Sequence, residues 1–329
     1  MICATSPTTL RELYDDAYRP IRLVGRSPRT LQAYDAAISL WQRFPQTAPL
    51  IQINTRLIAQ FAEWLLSGRS AATVNSYVKR IMVILRFASE EEEIGNPPRW
   101  RKLRESKRVP LALTEAEFLK VLAIAEREPG QVGGIPAPAW WRSLLPADWE
   151  SGLRLRALLS IASRDVLCDQ NGFYCQAENQ KDREAAWYPL SPATMELIRA
   201  IFDPERELLW PHDVCATTIG RRFRRMLDDS GIYAPKGAGM AFHRIRKSTA
   251  SYIKAAGGDA QQKLGHSSPS VTERYLDPRI VHTPRQTVVV PAPHASPERP
   301  DAAKAGIADR LDGKLSVTPK PDAGHTDAA

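Results

Sequence analysis

Cysteine is scarce in this chain. The four present, Cys3, Cys168, Cys175 and Cys215, form no C-x-x-C pair and no spacing that reads as a zinc site, so they are expected to be reduced thiols of a cytoplasmic protein. Long apolar runs are missing too: none approaches the roughly 18 residues needed to span a bilayer, and no membrane partner is expected. The N-terminus lacks the basic stretch followed by an apolar one that marks an export signal. There is no G-x-x-x-x-G-K-[ST] phosphate loop and no internal repeat.

What is there suits a soluble protein with real cores. With 43% hydrophobic and 25% charged residues the composition is globular, and 329 residues exceed one ordinary core, so two domains are expected. The formal net charge is +8, a surplus that favours a polyanionic partner, nucleic acid among them. The segment 284–329 is rich in Pro, Ala, Asp and Lys, and from 285 onward six basic side chains balance six acidic ones. It is expected to lack fixed structure, which leaves the positive charge on the folded part.

Residues 6–98 read as helical. Ser27-Pro28 caps and starts a helix with Leu31, Tyr34, Ile38 and Trp41 on one face. Asn54 caps a second with Ile58, Phe61 and Leu65 inward. Ser70 starts a third, carrying Val74, Tyr77, Ile81 and Leu85, which Gly95-Asn96-Pro97-Pro98 is expected to end. The stretch RWRKLRESKR then holds six basic residues, Arg99, Arg101, Lys102, Arg104, Lys107 and Arg108, against one acidic one. Residues 99–110 therefore read as a linker, for which two readings stand: a solvated tether, or a strap lying on phosphates.

The second domain, 111–283, opens with Thr114 and Glu117 at capping-box spacing ahead of a helix through Phe118, Leu122 and Ala125. Gly130 to Pro138 breaks the pattern, and a helical stretch is expected from Trp141 to Ile161. Short runs between 165 and 190, ending in Ala186-Trp187-Tyr188-Pro189-Leu190, predict a three-stranded meander. Helices return at about 191–202 and 217–230. The second puts Ile219, Phe223, Met226 and Leu227 on one side and Arg221, Arg222 and Arg225 largely off it, either to track a DNA backbone or as a solvated face. The fold class is mainly α with a small antiparallel β-sheet.

The chemistry concentrates in FHRIRKSTASYIKAAGGDAQQKLGHSSPSVTERYLD, residues 242–277. His243 and Arg246, three apart, project from one helical face while Ile245, Thr249 and Ile253 turn inward. Eighteen residues on comes Leu264-Gly265-His266, then the helix start Ser267-Ser268-Pro269, then Tyr275 on that short helix, nine residues past His266. A tyrosine hydroxyl attacks phosphorus only if a neighbour takes its proton and cations hold the charge on the non-bridging oxygens. Two arginines and a histidine suit that task.

H-x-x-R, then L-G-H, then Tyr nine residues later resembles the C-terminal signature of tyrosine recombinases and phage integrases. Upstream, Ser151-Gly152-Leu153-Arg154 looks like the family's T-G-L-R box, and Lys181 lies in the sheet turn where the family carries its lysine. The chain departs from the family at Ala157, where an acidic residue is usual three after the first arginine, and Arg156 competes with Arg154 for that arginine's place.

The resemblance covers about residues 6–283 and implies a helical core-binding (SAM-like) domain plus an α+β catalytic domain, closing on double-stranded DNA as a C-shaped clamp. It implies that Tyr275 forms a 3′-phosphotyrosyl link, that Arg154 and Arg246 clamp the phosphate with a hydrogen bond from His266, that His243 accepts the tyrosine proton, and that Lys181 protonates the leaving 5′-oxygen. It further implies no metal or other cofactor, a tetramer on paired DNA sites, and a cytoplasmic, nucleoid-associated protein. A type IB topoisomerase-like activity and a non-catalytic DNA-binding protein on the same fold remain as alternatives, the latter prompted by Ala157.

Overall fold

A computed structural model describes residues 7–106, 109–233 and 241–281. The chain divides into two compact units between Val109 and Pro110. Among the described residues no helix is long and apolar enough to cross a membrane.

The first unit is helical. It opens with Leu10–Glu12 (α1), whose Thr9 and Glu12 form a reciprocal capping box, continues through a π-helical Leu13–Tyr18, and ends this stretch in Arg19–Arg22 (α2). The wide turn lies just ahead of Pro20, which has no N–H to keep an α-helical register. Pro28–Arg43 (α3), Thr55–Leu66 (α4) and Ala71–Glu90 (α5) start where the sequence predicts, each with the side chain of Ser27, Asn54 or Ser70 accepting from a first-turn amide. Ile38, Trp41, Ile58, Phe61, Leu65, Val74, Ile81 and Leu85 meet in one core, which Leu31, Tyr34 and Tyr77 flank.

The end of α5 differs from the expectation. It stops at Glu90 rather than at Gly95–Pro98. Four consecutive glutamates, Glu90 to Glu93, crowd the negative end of the helix dipole, and the chain turns out through Glu92 at φ 60°. The basic segment after it is also more than a tether. Asn75 grips Leu103 through both of its backbone groups (2.8 and 2.9 Å), and Trp100 and Leu103 pack on the first core. Arg99, Arg101, Lys102 and Arg104 are left exposed, Lys102 within 2.9 Å of Glu105. Lys107 and Arg108 lie outside the described residues, as does the segment from 282 onward that contains the predicted tail.

The second unit begins with the predicted capping box at Thr114 and Glu117 and the helix Glu115–Ala125 (α6). Gly130 to Pro138, read only as a break, contains a hairpin of Gln131–Val132 (β1) and Ile135–Pro136 (β2). The helical stretch expected from Trp141 to Ile161 is two helices, Ala137–Ser151 (α7) and Leu155–Leu158 (α8), separated where Gly152 takes φ 63°. Val166–Leu167 (β3), Gly172–Cys175 (β4) and Ala186–Pro189 (β5) form the expected antiparallel meander in the order β3-β4-β5. Alternation places Phe173, Cys175 and Tyr188 in the core and leaves Tyr174 facing out beside Trp187.

Pro192–Arg199 (α9), Ala216–Asp229 (α10) and His243–Ala255 (α11) complete the core, and Ala260–Leu264 (α12) and Pro269–Glu273 (α13) follow. On α10, Ile219, Phe223, Met226 and Leu227 are buried, Arg221 and Arg225 are exposed and Arg222 is half-buried.

Candidate active site

Arg246 is the hub of the site. One helical turn beyond His243 on α11, it is 3% exposed, so its fork must find partners inside the protein. Nη1 donates to the carbonyl of Gly152; Nη2 donates to the carbonyl of Leu264 (2.6 Å) and approaches Nε2 of His266 (3.2 Å). The guanidinium thus joins α11 to the turn after α7 and to the end of α12. Burial, then the charge of Arg154, lowers its pKa from the ordinary guanidinium value, while the charge and hydrogen bonding of Tyr275 oppose that shift.

Both turns depend on glycine. Gly152 adopts φ 63°, and a Cβ there would lie 2.8 Å from Leu264 Cδ2 and 2.9 Å from Thr249 Cγ2, so only glycine lets the turn approach α11 and α12 this closely. Gly265 caps α12 at φ 59°, and a Cβ there would lie 2.5 Å from an Asp182 oxygen. The Lys181-Asp182 turn of the sheet therefore closes directly on the Gly265-His266 turn.

His266 is 7% exposed. Its Nε2 faces an Arg246 N–H, so it accepts; its Nδ1, 2.9 Å from the Thr272 hydroxyl, then carries the proton. Burial, followed by the charges of Arg246, Arg154 and Lys181, lowers its pKa from 6.5 to about 4. His243 falls to about 4 as well, through burial and then Lys247, Arg246, Arg154 and His266. Both rings are neutral at neutral pH.

Tyr275 lies between these rings, with centroids 4.8 Å from His243 and 4.6 Å from His266, and the Arg246 guanidinium carbon is 5.9 Å from its own centroid. It does not ride the helix as expected. The last helical residue of α13 is Glu273, and Tyr275 follows in a turn in which its amide bonds the Thr272 carbonyl (2.8 Å).

The structure brings His243, Arg246, His266 and Tyr275 into contact, and the charges of Arg154 and Lys181 reach this cluster. Arg154, half-buried at the start of α8, is the arginine whose charge reaches His243, Arg246 and His266, whereas Arg156 is exposed on the following turn. Lys181 is exposed in the β4–β5 connection with its charge felt at His266. The basic residues of 99–104 belong to the other unit, and Arg221, Arg222 and Arg225 ride α10.

Some participants escaped the sequence reading. Thr272 orients His266 through its hydroxyl, a contact that no spacing in the sequence marks. Lys247 lowers the pKa of His243, although adjacency to Arg246 gave no hint of it. Asp148 is fully buried on α7, and neither carboxylate oxygen has a hydrogen-bond partner among the described residues. Burial drives its pKa well up against the opposing charge of Arg246. Ala157, at the position where an acidic residue was the expectation, is packed in the core.

Residues 102–280 match the phage integrase family. The chain is 23% identical over 270 residues to the integrase of Escherichia phage HK022, covering 78% of this chain and 72% of that one. It is 22% identical over 185 residues to the tyrosine recombinase XerC of Haemophilus influenzae (strain PittEE), covering 54% and 60% respectively. Among solved structures, a lambda integrase dimer bound to a COC′ core site is similar with TM-score 0.67 and 23% identity over 82% of this chain and 96% of that chain. The Tn1549 transposon integrase in complex with transposon right end DNA is similar with TM-score 0.68 and 13% identity over 84% and 96%.

Proposed function

The chain belongs to the phage integrase family of site-specific tyrosine recombinases, and from that premise we propose that it breaks and rejoins double-stranded DNA through Tyr275. The observation that carries this reading is the tyrosine ring set between two neutral histidines beside a buried arginine. Tyr275 Oη attacks the scissile phosphorus, forming a 3′-phosphotyrosyl ester as the bond to the 5′-oxygen breaks. His243 accepts the phenolic proton, which its neutral state permits, and Lys181 supplies a proton to the departing oxygen.

Arg154 and Arg246 hold the non-bridging oxygens, for which a planar fork suits better than a point charge. His266 adds a hydrogen bond from Nε2 once that nitrogen takes up a proton, which the negative charge of the phosphate favours. Attack by another strand's 5′-hydroxyl reverses every step, so the bond energy is kept and no nucleotide is consumed.

The exposed Arg221 and Arg225, with Arg222 beside them, and Arg99, Arg101, Lys102 and Arg104 lie on DNA phosphates in this reading. Lys107 and Arg108 extend that set by sequence. The lambda integrase is recorded as a tetramer bound to a Holliday junction, which supports a tetramer of this chain on paired sites.

The test is denaturant-resistant capture of protein on genomic fragments, wild type beside Tyr275→Phe, followed by sequencing of the attached DNA. Adducts at one recurring sequence from wild type alone are expected. Equal adducts from both proteins would dismiss Tyr275 as nucleophile, and none from either would leave a DNA-binding protein. Recombination of two sites, against relaxation of one plasmid, then separates a recombinase from a topoisomerase.

A further inference from the structure

Two residues beyond Tyr275 lies Asp277, a carboxylate with 0% exposure that has no part in the strand-transfer chemistry. Burying such a charge is costly unless donors surround it, and here they do. Oδ2 accepts the Ala112 N–H (2.7 Å) and Arg279 Nη2 (2.9 Å), while Oδ1 accepts the Arg279 N–H (2.9 Å). Burial pushes the carboxyl up, but the Arg279 and Ala112 donors outweigh it and hold it below the ordinary carboxylate range.

The same residue is tied to the tyrosine through the backbone. The Asp277 N–H donates to Ser251 Oγ (2.9 Å), and that fully buried hydroxyl donates to the Tyr275 carbonyl (3.4 Å). The Ala112 carbonyl in turn accepts from Arg279 (2.8 Å) and from Arg244 (3.1 Å) on α11, and Ser248 bonds both backbone groups of Leu113 (2.8 and 2.9 Å). Residues 112–113 are therefore a rail to which both α11, bearing His243 and Arg246, and the segment bearing Tyr275 are fastened.

Tyr275 needs such an anchor, because α13 is five residues long and ends before it, leaving helical geometry unable to fix its place. We propose that Asp277 is a positioning residue for the nucleophile: clasped to Ala112 and Ser251, it holds the Tyr275 hydroxyl in line with the phosphate bound at Arg246. This rests on the reading of Tyr275 as the nucleophile.

The experiment uses the full chain and a synthetic duplex bearing the sequence recovered by capture, and it measures single-turnover adduct formation at saturating DNA together with DNA affinity and thermal midpoint. Asp277→Ala is expected to slow adduct formation by about thirtyfold, with the Kd for DNA changed by no more than about twofold. Asp277→Asn, which keeps one acceptor for the Ala112 amide, falls between it and wild type. Ser251→Ala, which removes a single buried hydroxyl and is the informative variant if Asp277→Ala fails to fold, is expected to slow it by about fivefold to tenfold.

Folded variants that form adducts within about twofold of the wild-type rate overturn the proposal, as does a rate loss matched by an equal loss of DNA affinity. Failure of the underlying reading looks different: wild type then gives no adduct, or Tyr275→Phe gives as much.

Discussion

The two histidines flanking Tyr275 are stored uncharged, which makes proton uptake on phosphate binding measurable. For His243 the fall from 6.5 to about 4 corresponds to about 3 kcal/mol of preference for the neutral ring, at about 1.4 kcal/mol per pH unit. Because the folded value lies below the unfolded one, the unfolded chain binds more protons between pH 4 and 6.5; stability is full above that window and lost as pH falls through it. A phosphodiester brings one negative charge among Arg154, Lys181, Arg246 and His266, so both ring values rise in the complex and binding near pH 5 takes up protons. Imidazole NMR titration measures this directly, with His243→Asn and His266→Asn assigning the two signals. Midpoints near 4 are expected in the free protein, moving up by about one unit or more with duplex bound. In denaturant unfolding, the stability deficit of His243→Asn should shrink by about 2–3 kcal/mol between pH 7 and pH 4.5. Free-protein midpoints near 6.5 would refute the argument, since burial and three neighbouring cations would then have no effect on these rings.

Two further outcomes follow from the same geometry. Lys181→Ala should slow adduct formation by about 10²–10³-fold on ordinary DNA, yet recover to within about tenfold when a bridging sulfur replaces the 5′-oxygen, because a thiolate leaves without a proton. An unrescued defect would remove Lys181 from the acid role. Gly152→Ala, strained at φ 63° and pressed on Leu264 and Thr249, should cost about 2–4 kcal/mol in equilibrium unfolding, and adduct formation should fall with it.

Much of this could be read from the chain. The caps at Ser27, Asn54, Ser70 and Thr114 announce helices through local chemistry, and local chemistry set them. The meander was legible for the same reason, its runs being short and bounded by turns. The end of α5 was not: a Gly-Pro cluster outweighed an acidic run whose conflict with the helix dipole is the earlier stop signal. Nor was the break at Gly152, because helical periodicity continues on both sides of it and only the approach of Leu264 and Thr249 makes the turn necessary. In the site, order, spacing and the family resemblance singled out the six side chains, while the contacts of Thr272 and Asp277 and the burial of Asp148 are encoded by no spacing. Choosing between Arg154 and Arg156 likewise needed the turn that aims one inward and leaves the other in solvent.

Arg246 binds carbonyls 94 positions before it and 18 after it, so the phosphate cradle is drawn from stretches that a growing chain completes at very different times. Tyr275 is made last of all. A nascent copy therefore lacks the tyrosine, and a partly melted one holds it apart from the cations that activate it in the proposed reading, where its hydroxyl is inert toward phosphodiesters. In the proposed reading, competence to cut DNA thus arrives only with the finished fold, and an immature or damaged molecule leaves the DNA around it intact.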